Sequence, residues 1–142
     1  MLLPDTNLLV YAFREDCVEH AAAREWLAGL LHGPSTVALT SASLTGFVRV
    51  VTHPRVLRPP ADVATALEFV EVLWASPSTL QVEPGPRYPD LFAELCGLTN
   101  ASGNDVPDVH LAAVAIEAGA GLATHDRGFA RFPGLRVTDP LG

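Results

Sequence analysis

The stretch Gly103–Phe132, GNDVPDVHLAAVAIEAGAGLATHDRGFARF, decides how the rest of the chain is read. Asn104 or Asp105 stands where a helix N-cap belongs, and Pro107 suits the first turn. Val109 to Ile116 then run so apolar that their helix must be buried on most sides, which puts Asp108 at the start of a core helix. Gly119 and Gly121 supply the stop. Leu122 to Thr124 form a short apolar run that delivers Asp126 just past its C-terminal end, as a central parallel strand does. In open α/β sheets ligands bind at that end.

Working outward, strands and helices continue to alternate. Leu2 to Pro4 predict a strand, with Pro4 as its last residue because proline cannot donate to a sheet ladder; Asp5, Thr6 and Asn7 follow, and Leu8 to Phe13 begin a helix. An amphipathic helix is expected over His20 to Leu31, with Ala23, Trp26, Leu27 and Leu30 inward, and a strand over Val37 to Leu39. The next helix, Ala42 to Val51, is disfavoured by the β-branched Val48, Val50 and Val51 and is ended by Pro54. Asp62 caps a helix whose apolar face carries Ala66, Phe69, Val70, Leu73 and Trp74. A strand over Leu80 to Val82 comes next, then a helix opened by Pro89 with Leu91, Phe92, Leu95 and Cys96 inward, and finally a strand over Arg136 to Thr138. Trp26, Phe69 and Trp74 are assigned to the core. The alternation predicts one α/β domain over residues 1–142, with a mostly parallel, Rossmann-like five-stranded sheet flanked by helices on both faces.

Composition narrows the function classes. With 49% hydrophobic residues the chain can bury a real core, yet no apolar run approaches the roughly 20 residues that span a bilayer. No signal-peptide pattern precedes MLLPDTN, and Cys17 and Cys96 fall in no metal or redox spacing, so free thiols in the cytoplasm are expected. A net charge of −7 argues against a protein that simply coats nucleic acid. All nine cations are Arg, a residue suited to bidentate grip on phosphate or carboxylate.

Asp5, Asp108 and Asp126 can converge at one sheet edge, where crowded carboxylates repel unless a cation neutralises them. A hard divalent ion, Mg²⁺ or Mn²⁺, takes oxygen ligands and bridges to phosphate. Each acid has a purely structural alternative: Asp5-Thr6-Asn7 as a helix cap, Asp108 as an acid favoured by the helix dipole, Asp126 as the start of a turn with Arg127-Gly128. His110 and His125 flank the acids but match no closed zinc site.

Four segments, LLPDTNLLVYA (2–12), FVRVVTHPRV (47–56), GNDVPDVHLAAVAIEAGAGLATHDRGFARFPGLRV (103–137) and DPL (139–141), resemble a PIN-domain protein, most closely a VapC-type toxin of a bacterial toxin–antitoxin pair. The resemblance covers nearly the whole chain. It implies a PIN-like fold and a Mg²⁺- or Mn²⁺-dependent endoribonuclease, a hydrolase of ester bonds, inhibited by a small VapB-type antitoxin and assembled as a homodimer. Asp5, Asp108 and Asp126 match the family's first, third and fourth acids. Asn7 and Thr124 match supporting polar positions, and Thr6 and Asn104 stand beside the acids. Asp5 and Asp108 would hold the ion while Asp126 orients a ligand water. Two positions depart from the pattern. The family's second acid, near the start of the helix after strand two, is missing, because no Asp or Glu occurs from Trp26 to Ala61; Gly128 stands where relatives often carry Asp. Ser41 is expected to face Asp5 and stand in for the missing acid, with Ser43 on another helix face and Asp105 as the competing substitute. Arg49, Arg55 and Arg58 either hold an RNA backbone or pair with the chain's acids. The leading alternative is a catalytically weakened PIN domain that mainly binds antitoxin or RNA. A phosphatase using Asp5 as nucleophile lacks both a second Asp two residues on and any lysine.

Overall fold

The computed structural model describes residues 1–142. Elements run β1 (Leu2–Pro4), α1 (Thr6–Phe13), α2 (His20–His32), β2 (Val37–Leu39), α3 (Ser41–Thr52), α4 (Val63–Ala75), β3 (Thr79–Gln81), α5 (Tyr88–Thr99), α6 (Val106–Ala118), β4 (Gly121–Ala123) and β5 (Val137–Thr138). The five strands lie in the order β3-β2-β1-β4-β5, and every pairing is parallel. From β1 the chain builds outward through β2 and β3, then returns to the other side of β1. The reversal point therefore falls between β1 and β4, where an open sheet forms its crevice. There Leu3 pairs with Leu122 and Pro4 with Ala123, so Asp5 and Thr124 emerge side by side beyond the two strand ends.

Strand alternation splits the core into two layers. Val37 and Leu39 point into a cluster with α1, α2, α3 and α4. Leu3, Ala38 and Leu122 join a second cluster with α5 and α6, which puts helices on both faces as expected. The β-branched valines do not defeat α3. Its Leu44, Phe47 and Val51 are buried, and the Phe47 ring packs 5.3 Å from Phe13 and 5.0 Å from Phe69, so tertiary packing outweighs the few tenths of a kcal/mol that each valine costs. Helix α6 buries Val109 and every residue from Leu111 to Ala115, and it ends at Gly119, whose φ of 70° is the left-handed stop. Pro4 is the last residue of β1, and the Asp5 N–H resumes the ladder by donating to the Ala123 carbonyl at 2.9 Å.

Three expectations need correction. Trp74 is 37% exposed, because α4 lies on the rim of its layer and buries only Ala66 and Leu73. The edge strand β3 covers Thr79–Gln81, one residue earlier than the apolar run suggests; Leu80 is exposed there, and Val82 beyond the strand is the buried residue. The two strands after α6 shift in the same way. Strand β4 takes in Gly121 and releases Thr124, while β5 keeps only Val137 and Thr138. No helix is long and apolar enough to cross a membrane.

Candidate active site

Beyond the C-terminal ends of β1 and β4 lies a cavity of about 320 Å³, and Asp5, Asp108 and Asp126 all line it. Each acid arrives from a different element. Asp5 caps α1, taking the Leu8 N–H on Oδ1 at 2.9 Å, so its capping role and its place in the cavity coexist. Asp108 sits in the first turn of α6. Asp126 follows β4 and accepts the Gly128 N–H at 2.8 Å, as its turn-forming alternative requires.

Thr124 ties two of them together. Its buried hydroxyl donates to Asp5 Oδ2 and accepts the Asp126 N–H at 3.0 Å. Asp5 is only 4% exposed; burial pushes its carboxyl above the usual carboxylate range, against the Thr124 and Leu8 donors, with the Asp126 charge adding to the rise. Asp108 is raised as well, by burial first, while Arg131 pulls it down and the charges of Asp126 and Asp105 push it up. Burial raises both carboxyls, neighbouring acids add to the rise, and nearby positive charge opposes it at Asp108.

Arg131 supplies part of that charge, and the sequence reading overlooked it. Its Nη2 lies 3.3 Å from Asp108 Oδ2 and 4.0 Å from Asp105 Oδ1, a second nitrogen donates to the Gly128 carbonyl, and the guanidinium rests 4.3 Å from the Phe132 ring centre. The available signal was position, since the Arg127–Arg131 turn that follows Asp126 folds its last residue back over α6. A Cβ on Gly128 would stand 3.0 Å from both Arg131 Nη1 and Asp126 Oδ1, so a side chain there would have to shift the tips of these two residues.

The missing acid is not replaced at Ser41. As the first residue of α3, Ser41 turns outward; its N–H and hydroxyl bind Glu83 at 2.7 and 2.8 Å, and it does not line the cavity. The wall is instead built by Ala42, Ser43, Gly46, Arg49 and Val50, residues spaced by helical turns along one face of α3. Ser43 therefore belongs to the cavity and not to a remote face. Gly46 sits at its centre, packed against Thr6, whose Oγ1 would stand 3.2 Å from a Cβ there, and no carboxylate stands on this wall.

Other expected residues divide. Thr6 and Asn7 line the cavity, and the Thr6 hydroxyl donates to the Ser43 carbonyl at 3.3 Å. Asn104 and Asp105 lie exposed in a 3-10 turn outside it; Asp105 makes no side-chain cap bond and leans toward Arg131. His110 lines the cavity with Nδ1 2.6 Å from the Tyr88 hydroxyl, and burial holds its pKa below the usual value. His125 is drawn away to Asp139 at 2.9 Å. No three His, Cys, Asp or Glu side chains in the structure stand close enough together to hold a metal ion. Carboxylates on one cavity that do not close around an ion suit a hard divalent cation that keeps most of its waters, and do not suit zinc.

Residues 2–135 match the PIN domain family, and the all-parallel five-stranded sheet flanked by helices is that fold. The chain belongs to that family, in its VapC branch. It is 43% identical to ribonuclease VapC43 of Mycobacterium tuberculosis over 141 residues, covering 99% of this chain and 96% of that protein. Identity to ribonuclease VapC33 of the same organism is 36%, with 99% of each chain covered. Among solved structures, VapBC2 of Rickettsia felis bound to a promoter DNA fragment superposes with a TM-score of 0.72 at 20% identity, covering 96% of each chain. VapC20 of M. tuberculosis superposes at 0.70 with 14% identity, covering 96% and 99%. These two likenesses concern the fold.

Proposed function

We propose that the chain is the toxin of a toxin–antitoxin pair, a Mg²⁺- or Mn²⁺-dependent endoribonuclease that hydrolyses RNA phosphodiester bonds. The observation that carries this reading is the convergence of Asp5, Asp108 and Asp126 on one cavity, in a chain matching ribonucleases along its whole length. Asp5 and Asp108 would hold the ion, with Asp126 orienting a water. When bound, the ion supplies Lewis-acid polarisation of the phosphate and lowers the pKa of a water. The protein's part is positioning. Leu8 and Thr124 lock the Asp5 carboxylate, Gly128 and Thr124 fix Asp126, and Arg131 offsets the Asp108 charge while substrate phosphate is absent.

One observation favours the alternative of a weakened, mainly binding PIN domain: the α3 wall presents Gly46 in place of a carboxylate. Incubating purified protein with RNA in Mg²⁺, Mn²⁺ or EDTA separates the two. Metal-dependent cleavage supports the enzyme, and RNA binding without cleavage supports the module.

The partners follow from charge. An acidic cleft on a protein of net charge −7 suits a VapB-type antitoxin that carries Arg or Lys into it, blocking substrate. Coexpression with the neighbouring small reading frame should yield a stable complex whose dissociation restores cleavage. A homodimer in the cytoplasm completes the proposal, with sedimentation of the purified chain as its check.

A further inference from the structure

Arg49 stands apart from the other cations of the chain. Arg14, Arg87, Arg131 and Arg136 spend their guanidinium groups on carboxylates or main-chain carbonyls. The Arg49 guanidinium makes no ion pair and no hydrogen bond, and Arg49 lines both the cavity that holds the three acids and a neighbouring apolar groove with Leu44, Val48, Leu67 and Val70. Arg24, Arg55, Arg58 and Arg127 are also unpaired, but none of them reaches this cavity. The structure thus separates Arg49 from Arg55 and Arg58, which the sequence left equivalent.

The cavity is two-sided. Acids enter from the β1, α6 and β4 ends, and the facing α3 wall offers one free cation. Asp108 already has Arg131 at 3.3 Å, so Arg49 is not needed as its counter-ion. Gly46 lies one helical turn before Arg49 on the same wall and packs against Thr6, whose Oγ1 would stand 3.2 Å from a Cβ placed there. A free planar guanidinium on the wall of such a cavity can take two oxygens of one phosphate.

We propose that Arg49 is a positioning residue that binds a phosphate of single-stranded RNA adjacent to the scissile one, so that the strand crosses from the α3 wall to the acid cluster. This rests on the ribonuclease reading, which supplies the substrate class.

The test uses a mixed-sequence, single-stranded RNA oligonucleotide and the full chain, comparing wild type with Arg49→Gln, Arg49→Lys and the remote Arg24→Gln. Cleavage in Mn²⁺ should show KM raised about tenfold in Arg49→Gln with kcat nearly unchanged, a partial recovery in Arg49→Lys, and no change in Arg24→Gln. The slope of log affinity against log salt should fall by about 0.7 in Arg49→Gln, the loss of one single-strand phosphate contact. The Mn²⁺-induced rise in melting temperature should stay the same, which separates a phosphate contact from a fold or metal defect. Anisotropy of the labelled oligonucleotide, read in an Asp5→Asn background that cannot cleave, gives the same slope independently of catalysis. Unchanged KM and slope in Arg49→Gln, or an equal loss in Arg24→Gln, overturns the assignment. If wild type binds the RNA through Arg49 but does not cleave it, the ribonuclease reading falls and the Arg49 site stands.

Discussion

Replacing Thr124 by Val keeps the volume of a buried side chain and removes one hydroxyl. That hydroxyl donates to Asp5 Oδ2 and accepts from the Asp126 N–H, so the variant leaves a buried carboxylate short of a donor. Hydrogen bonds to charged groups contribute about 1.5–3 kcal/mol, and the half-buried Asp126 amide adds less, so a loss of about 2–3 kcal/mol is expected. For 142 residues the unfolding entropy is about 0.3 kcal/mol/K, which converts that loss into a fall of roughly 7–10 °C in Tm. The effect should depend on pH. Asp5 already has a folded-state pKa above its ordinary 3.8, so its ionised form opposes folding at neutral pH, and that opposition is relieved as pH falls through the folded value. Without the Thr124 donor the folded pKa rises further. The stability gap between wild type and variant should therefore be widest near pH 7 and shrink as Asp5 takes up its proton. Thermal melts at several pH values measure it. A Thr124→Val protein as stable as wild type at pH 7, or a gap that widens on acidification, would refute the role given to Thr124.

Asp5→Asn keeps an oxygen to cap α1 while removing a buried charge, so without metal its Tm should equal or exceed that of wild type. Wild type should gain about 2.7 kcal/mol at a Mn²⁺ concentration 100 times Kd, and Asp5→Asn much less; equal gains would sink Asp5 as a ligand. Gly46→Glu places a carboxylate on the α3 wall once the Thr6 side chain gives way by a few tenths of an ångström, and should lower the Mn²⁺ concentration for half-maximal stabilisation several-fold, whereas Ser41→Glu, facing Glu83, should not; the reverse order would return the vacancy to Ser41. Arg131→Gln frees Asp108 and removes a like charge from the ion's neighbourhood, so the same Mn²⁺ midpoint should fall; a higher midpoint would show that Arg131 supports the site and does not compete for it.

The fold was largely legible because its signals are local. The apolar run of α6, the Gly119 stop and the strand ahead of Asp126 each declare themselves in a few residues, and the alternation of elements leaves little besides a parallel sheet. The acids were legible for the same reason, since strand ends and helix starts are local positions. What escaped was rotation about a helix axis and reach across a turn. Whether Ser41, Ser43 or Gly46 faces Asp5 depends on the residue at which α3 begins, and an error of one residue turns the helix by about 100°. Arg131 reaches Asp108 only because the 3-10 turn after Asp126 folds back over α6, and Glu83 holds Ser41 from 42 residues away. Trp74 failed on the width of the buried stripe: α4 needs a narrower face than its apolar residues could cover.

The claim at the centre of this account is that Asp5 and Asp108 form a metal-dependent site for cutting RNA. The most direct measurement is cleavage of cellular RNA by the purified chain in Mn²⁺, compared with EDTA and with Asp108→Asn, while circular dichroism confirms that the variant is folded. The account predicts cleavage by wild type in Mn²⁺, none in EDTA, and loss of at least two orders of magnitude in the folded Asp108→Asn protein. Cleavage that survives EDTA, or a folded Asp108→Asn protein that cuts as fast as wild type, would contradict it.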